Sequence, residues 1–406
     1  MLDFLTDDVR RNPYPLYAQM RATSPVMRVG SDGPWLVFDY AGVRRVLDDY
    51  EAFSSSASPA GTTNNPLPWM IFYDPPRHTK LRALVSRAFT PRSIAMLEPR
   101  VAAISRELLD VAIARATSGG DGDGGGGGAA EFDLVADYAA PLPMMVIAEM
   151  LGIPSSERAR FKRWSDSILG LSETVSGGAA AGAKAGVDYM QTTDEMENYL
   201  VDILREFRSA PKDNLLNRLA LAEVEGERLS HREILGFFQL LLLAGSETTI
   251  NLIANAILCL LEYPDQFARL RANMDLLPSA IEEVLRFRSP LQAVFRGTRR
   301  DVEMHGQVIP AGKLVLPIIG SANRDAAVFA DADRFDITRD PNPHVAFGHG
   351  IHFCLGAALA RLEAKIALPD LLHRLPGLHR ASEETWEPRS AFHVHGPARF
   401  DVRFDA

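Results

Sequence analysis

The chain has 406 residues, 47% of them hydrophobic, with 43 basic and 52 acidic side chains for a net charge of −9. That balance argues against general nucleic-acid binding, and the apolar content fits a globular protein with a large core. Two cysteines, Cys259 and Cys354, are too few and too far apart for a disulfide framework and point to a reducing cytoplasm. Length alone suggests two or three domains. Residues Met1 to Asp8 are acidic and carry no signal-peptide pattern. The longest apolar run, Ile234 to Gly245, has 12 residues, too few to span a membrane, so no membrane anchor is expected.

In chain order, Pro25–Val29 and Trp35–Phe38 read as short strands joined by a turn over Gly30–Gly33. Helical periodicity follows at about 40–50, 77–87, 91–115, 142–151 and 155–170. The stretch from about 118 to 130 is almost all Gly and Asp and reads as a flexible surface loop. It is not a phosphate loop, because no Gly-Lys-Ser/Thr closes it. The Gly/Ala-rich stretch at about 174–187 lies between two longer helical patterns, with the composition of a mobile lid or of a tolerated insertion. A long helix then runs from Ser230 to about Glu262. Short strands follow at Val302–Met304, Gln307–Ile309 and Leu314–Leu316, and a last helix at about Leu355–Leu368. The architecture is mainly α with a minor β region.

Four constellations on these elements carry chemistry. The long helix holds Ala244-Gly245-Ser246-Glu247-Thr248-Thr249 behind an apolar stretch. Gly costs up to ~1 kcal/mol inside a helix and β-branched Thr adds crowding, so a local rule is broken there. Thr248 can bond back to the Ala244 carbonyl four residues earlier, or release it. A helix-packing groove with a surface acid would look the same. Glu283-Val284-Leu285-Arg286 places two opposite charges on one helix face; such pairs are common and, when exposed, stabilise by only ~0–1 kcal/mol. His78 and Arg82 also share a face, after the turn Asp74-Pro75-Pro76. Finally, Phe347-Gly348-His349-Gly350-Ile351-His352-Phe353-Cys354-Leu355-Gly356 delivers one thiol to a helix start through a glycine-rich loop. Backbone N–H groups there favour a thiolate. That thiol can be a metal ligand, a nucleophile or an inert core residue. No serine-hydrolase or cysteine-protease signature accompanies it.

The segment Phe347–Gly356 resembles the haem-binding loop of the cytochrome P-450 family, F-x-x-G-x-H/R-x-C-x-G, at every fixed position. Ala244–Thr249 resembles the family's oxygen-activation motif, and Glu283–Arg286 its E-x-x-R, in the family's order. The resemblance covers nearly the whole chain. It implies one cytochrome P-450 fold over residues 1–406, of the soluble bacterial kind, and replaces the multi-domain reading. It also implies a haem b with Cys354 as iron ligand, and Ala244 against the macrocycle. His78, Arg82, Arg296 and His352 would contact the propionates, and Glu247 and Thr248 would supply protons. Glu283, Arg286 and Arg334 would fix the scaffold behind the loop. Pocket walls would come from Trp69, Phe72, Leu241, Val294 and Phe392.

The activity implied is a monooxygenase, inserting one oxygen atom from O2 into a small or medium apolar organic substrate by hydroxylation or epoxidation. Tailoring of secondary metabolites is one setting. Electrons would come from NAD(P)H through a ferredoxin and a ferredoxin reductase, in the cytoplasm, to a monomer. Two alternatives stand beside it: a peroxygenase using H2O2, and a catalytically silent family member that recruits a carrier-protein complex.

Overall fold

The computed structural model describes residues 6–56, 67–118, 129–210, 212–224, 226–382 and 386–405. Most of the glycine-rich stretch, residues 119–128, and the first five residues of the acidic start lie outside the described residues. The main helices are α1 (Tyr40–Asp48), α2 (Arg77–Ala88), α3 (Glu98–Ser118), α4 (Pro141–Leu151), α5 (Arg158–Ser209), α6 (His231–Glu262), α7 (Leu277–Phe287) and α8 (Ala357–Arg374). The strands used below are β1 (Val26–Arg28), β2 (Trp35–Val37), β3 (Phe53–Ser54), β4 (Ala129–Asp133), β5 (Arg296–Thr298), β6 (Leu314–Pro317), β7 (His379–Arg380) and β8 (Asp401–Asp405).

Helix α6 is the axis of the molecule. It starts at a capping box in which Ser230 accepts from the Glu233 backbone N–H, and Glu233 accepts from that of Ser230. Its apolar side chains are buried on nearly all sides, and it packs against α4, α5, α7 and α8. By length and composition this helix could cross a membrane, but it is largely buried inside the fold, as a core helix is. One five-stranded sheet, in the order β1-β2-β6-β5-β3, forms the minor β region; β2 and β6 run parallel and the other pairs antiparallel. A second sheet, β7-β8-β4, ties the C-terminal strand to the strand after α3.

Three expectations change. The single helix expected at 91–115 is two, Pro91–Ala95 and α3, because Pro99 in the first turn of α3 lacks an N–H and marks a helix start. The last helix does not stop before Pro369 but continues to Arg374, held by the buried Leu368, Leu371 and Leu372. The Gly/Ala-rich stretch does not separate two helices: α5 runs through it as one helix of 52 residues.

Candidate active site

The cysteine loop is shaped by its glycines and by α1. Gly348 and Gly350 have φ of +72° and +67°, which side chains rarely adopt. A Cβ on Gly350 would stand 2.9 Å from Asp48 Oδ1 and 3.1 Å from the Leu47 carbonyl, so the loop lies directly on the end of α1. His349 bonds to both Asp48 and Arg44 of that helix. Gly356 is conformationally ordinary. Its φ is −85°, and a Cβ would meet Cys354 Sγ at an ordinary 3.9 Å.

Cys354 donates its backbone N–H to the Phe347 carbonyl at 2.9 Å. Its thiol has accessible surface, although protein encloses it on most sides. That enclosure pushes its pKa above a thiol's ordinary value. The N–H groups of Gly356 and Ala357 and the charges of Arg82 and Arg361 pull it back. The thiolate-favouring groups expected from the sequence are therefore present, but burial outweighs them in the chain alone. Arg361 is fixed by a two-pronged pair with Glu282, 2.7 Å on each prong, and lies 4.5 Å over the Phe347 ring. His344 adds a bond to Glu282 at 3.0 Å.

Four basic side chains converge beside this loop. The rings of His78 and His352 are 4.1 Å apart, and His352 Nε2 bonds Ser55 Oγ at 2.9 Å. Arg82 donates to the Phe353 carbonyl at 2.7 Å, and Arg296, on β5, to the Phe295 carbonyl at 2.8 Å. Burial, then Arg82 and Arg296, hold His78 down at about 4 despite nearby Asp74. Burial, Arg296, His78 and Arg82 hold His352 at about 2, and burial lowers Arg296 to about 10. Asp74 is already engaged by Ser54, Ser55 and Arg299. His78 Nε2 is buried without a hydrogen-bond partner. A site crowded with donors and cations, with an orphaned buried nitrogen, fits a planar group bearing two carboxylates such as a haem.

On α6, Ala244 is exposed although its helix is otherwise mostly buried. Thr248 Oγ1 donates to the Ala244 carbonyl at 2.8 Å, the back-bond expected from the sequence. Glu247 is buried. Gly245, the residue after Ala244, faces a neighbouring helix. A Cβ there would come within 2.8 Å of Ile147, so its smallness serves the packing of α6 on α4.

Behind the loop, Glu283 and Arg286 of α7 are fully buried and paired through two bonds of 2.8 Å. Arg286 also donates to the carbonyls of Asn323, Ala332 and Arg334. Glu283 accepts from the Asp336 backbone N–H and from Asn342. The second guanidinium at Glu283 belongs to Arg339, at 3.2 Å, and not to Arg334. Arg334 contributes its carbonyl oxygen while its side chain is exposed. The reason is local: Arg339 reaches back over the turn to the Ala330, Asp331 and Arg334 carbonyls, which aims it at Glu283.

The cytochrome P450 family profile matches residues 11–387. The chain belongs to the cytochrome P450 family. It is 42% identical to putative cytochrome P450 YjiB of Bacillus subtilis, over 91% of this chain and 89% of that one. It is 41% identical to the cytochrome P450 monooxygenase PikC of Streptomyces venezuelae, over 93% and 87%. Among solved structures, that of CYP109E1 from Bacillus megaterium in complex with testosterone superposes with a TM-score of 0.85 at 40% identity, covering 97% of this chain and all of that one. This P450 is accordingly an oxidoreductase of the monooxygenase kind, and the family implies haem b, O2 and electrons from redox partners.

The pocket residues expected from the sequence fall into two groups in this P450. Trp69, Phe72 and Leu241 join the main helical core, with Trp69 and Phe72 stacked at 5.8 Å. Val294 and Phe392 pack on the sheet side, against separate clusters. Sequence reasoning missed Arg339, Asn342 and the Glu282–Arg361–His344 group. The sequence holds many arginines before the loop, and nothing local separates Arg339 from the rest. Glu282, directly before the E-x-x-R, was a usable signal.

Proposed function

We propose that this P450 hydroxylates or epoxidises a small to medium apolar organic molecule in the cytoplasm, with electrons drawn from NAD(P)H through a ferredoxin and a ferredoxin reductase. One observation carries the reading: His78, Arg82, Arg296 and His352 converge beside the accessible thiol of Cys354. Cys354 would hold the iron, and those four side chains would hold the two propionates. When bound, the haem supplies dioxygen activation, and thiolate ligation raises electron density at the iron. The N–H groups of Gly356 and Ala357 temper that sulfur. Thr248 keeps its hydroxyl proton on the Ala244 carbonyl; breaking that one bond frees Oγ1 to donate. Buried Glu247, the residue before it, is the acid that restores the proton. The Glu283–Arg286–Arg339 cluster keeps the cysteine loop in place.

Relatives support an apolar substrate. One is a vitamin D(3) 25-hydroxylase of Pseudonocardia autotrophica, 41% identical, and CYP109E1 has been solved with testosterone and with corticosterone. P450BioI, 32% identical, has been solved with an acyl carrier protein bearing a fatty acid, which keeps carrier-bound acyl chains among the substrates to test. The test is the purified holoprotein with NADPH, a ferredoxin and its reductase, offered vitamin D3, testosterone and a fatty acyl carrier protein. A substrate-induced Soret shift and a product heavier by one oxygen are expected for at least one. Turnover with H2O2 alone, and none with the redox partners, would replace the reading by the peroxygenase one.

A further inference from the structure

Gln239 interrupts the apolar stretch of α6, five residues before Ala244 or about 7.5 Å along the helix axis. Its neighbours Phe237, Phe238, Leu240 and Leu242 are all buried, and so is Gln239 itself, 1% exposed. Nothing about helix packing asks for a carboxamide there, and an unpaired one costs about 1–3 kcal/mol. Its three side-chain bonds all reach other elements. Trp69 Nε1–H and the Tyr189 hydroxyl both donate to Gln239 Oε1, at 3.1 Å each. Gln239 Nε2 donates to Thr193 Oγ1 at 3.0 Å. An indole N–H can only donate, so the amide orientation is settled by its partner.

Tyr189 and Thr193 stand four residues apart on α5, just after its Gly/Ala-rich stretch. Trp69 stacks on Phe72 in the segment before α2. A second observation shows that this segment is seated on α6. A Cβ on Gly236, one turn before Gln239, would fall 2.1 Å from the Pro68 carbonyl oxygen. The glycine is a notch for the backbone, and the glutamine fastens the side chain beside it.

We propose that Gln239 is a positioning residue for substrate selection. Its one amide joins the wall carrying Trp69 and Phe72 to helix α5 and so sets the shape and opening of the chamber next to Ala244. The inference rests on the haem-monooxygenase reading for the location of that chamber, and goes beyond it in naming what fixes the chamber's shape. Gln239 touches no reacting group, so its loss changes which molecules fit and how fast they enter, and leaves haem attachment alone.

The experiment uses the holoenzyme and two haem ligands that differ in bulk, imidazole and 4-phenylimidazole, so the natural substrate need not be known. Gln239→Leu keeps the volume and removes all three bonds. It is expected to change the affinity and association rate of 4-phenylimidazole by about tenfold or more, the equivalent of one net buried hydrogen bond. Imidazole should stay within about twofold, well below that change. The reduced CO spectrum should be unaltered. Unchanged binding of both ligands, or parallel changes in both, would overturn the proposal. If Gln239→Leu does not load haem, Thr193→Val removes a single bond and should shift 4-phenylimidazole in the same direction by less; no shift overturns the proposal. A wild-type protein that gives no Soret shift with imidazole would instead reject the haem reading itself.

Discussion

Replacing Glu283 by alanine removes the fully buried anion at the centre of its cluster. Arg286 would lose two bonds of 2.8 Å, Arg339 its charge partner, and the Asp336 N–H and Asn342 amide their acceptor. Arg286 would keep three carbonyl acceptors but no counter-charge. Breaking a buried pair from one side costs about 3–5 kcal/mol. A domain's whole stability is about 5–15 kcal/mol, so Glu283→Ala should leave little folded holoprotein. Arg339→Ala removes a partly buried guanidinium with three carbonyl contacts and one carboxylate contact, and should cost about 1.5–3 kcal/mol, the range of a charged hydrogen bond. Arg334→Ala leaves the used carbonyl in place and should fall within about 0.5 kcal/mol of wild type, as exposed substitutions do. Urea denaturation followed by far-UV circular dichroism, with haem content measured alongside, gives all three values. Equal losses for Arg334→Ala and Arg339→Ala would refute Arg339 as the second arginine at Glu283. Normal haem loading in Glu283→Ala would refute the scaffold role altogether.

Cys354→Ser should abolish the thiolate-type Soret band of the reduced CO complex; its retention would reject Cys354 as the ligand. Thr248→Ala removes the hydroxyl bonded to the Ala244 carbonyl and should divert electrons from product into H2O2; unchanged coupling, measured as product formed per NADPH, would reject its proton role. Burial pushes Glu282 up, but the bonds from Arg361 and His344 outweigh it and hold the carboxyl at about 2. A depressed carboxylate stabilises above its unfolded pKa and loses that contribution as pH falls. Screened by solvent, the loss between about pH 4.5 and pH 2 should be no more than about 2 kcal/mol, and Glu282→Gln should flatten that part of the stability–pH curve. Gly350→Ala should loosen the cysteine loop from α1 through both its positive φ and its contact with Asp48, and should lower haem content.

What was legible in the sequence had a local cause. The helix start at Ser230, the glycine-rich turn before Cys354 and the Thr248 back-bond each follow from residues within a few positions of one another. The strands at 26–28, 35–37, 302–304, 307–309 and 314–317 stood where alternation and turn residues placed them. What was not legible depended on the path of the chain in space. Pro369 looked like a helix end, but the leucines after it are buried by α8's neighbours, and tertiary packing outweighs one lost hydrogen bond. Pro99 looked like part of a continuous helix, but it begins one.

The same distinction explains the arginines and the glycines. Arg286 was readable because its partner lies three residues away on the same helix. Arg339 meets Glu283 across a separation of 56 residues, and Arg334 is as plausible by sequence alone. Gly245 sits inside a recognisable motif, yet its neighbour is Ile147, roughly a hundred positions earlier in the chain. Motif membership therefore identifies a position without telling which of its two faces is being served. Ala244 and Thr248 serve the reactive face of α6, whereas Gly245 and Gly236 serve the faces against α4 and against Pro68. Four small or polar residues within thirteen positions thus do three separate jobs. Substitutions at Gly236 and Gly245 should act through packing, and those at Thr248 through proton supply.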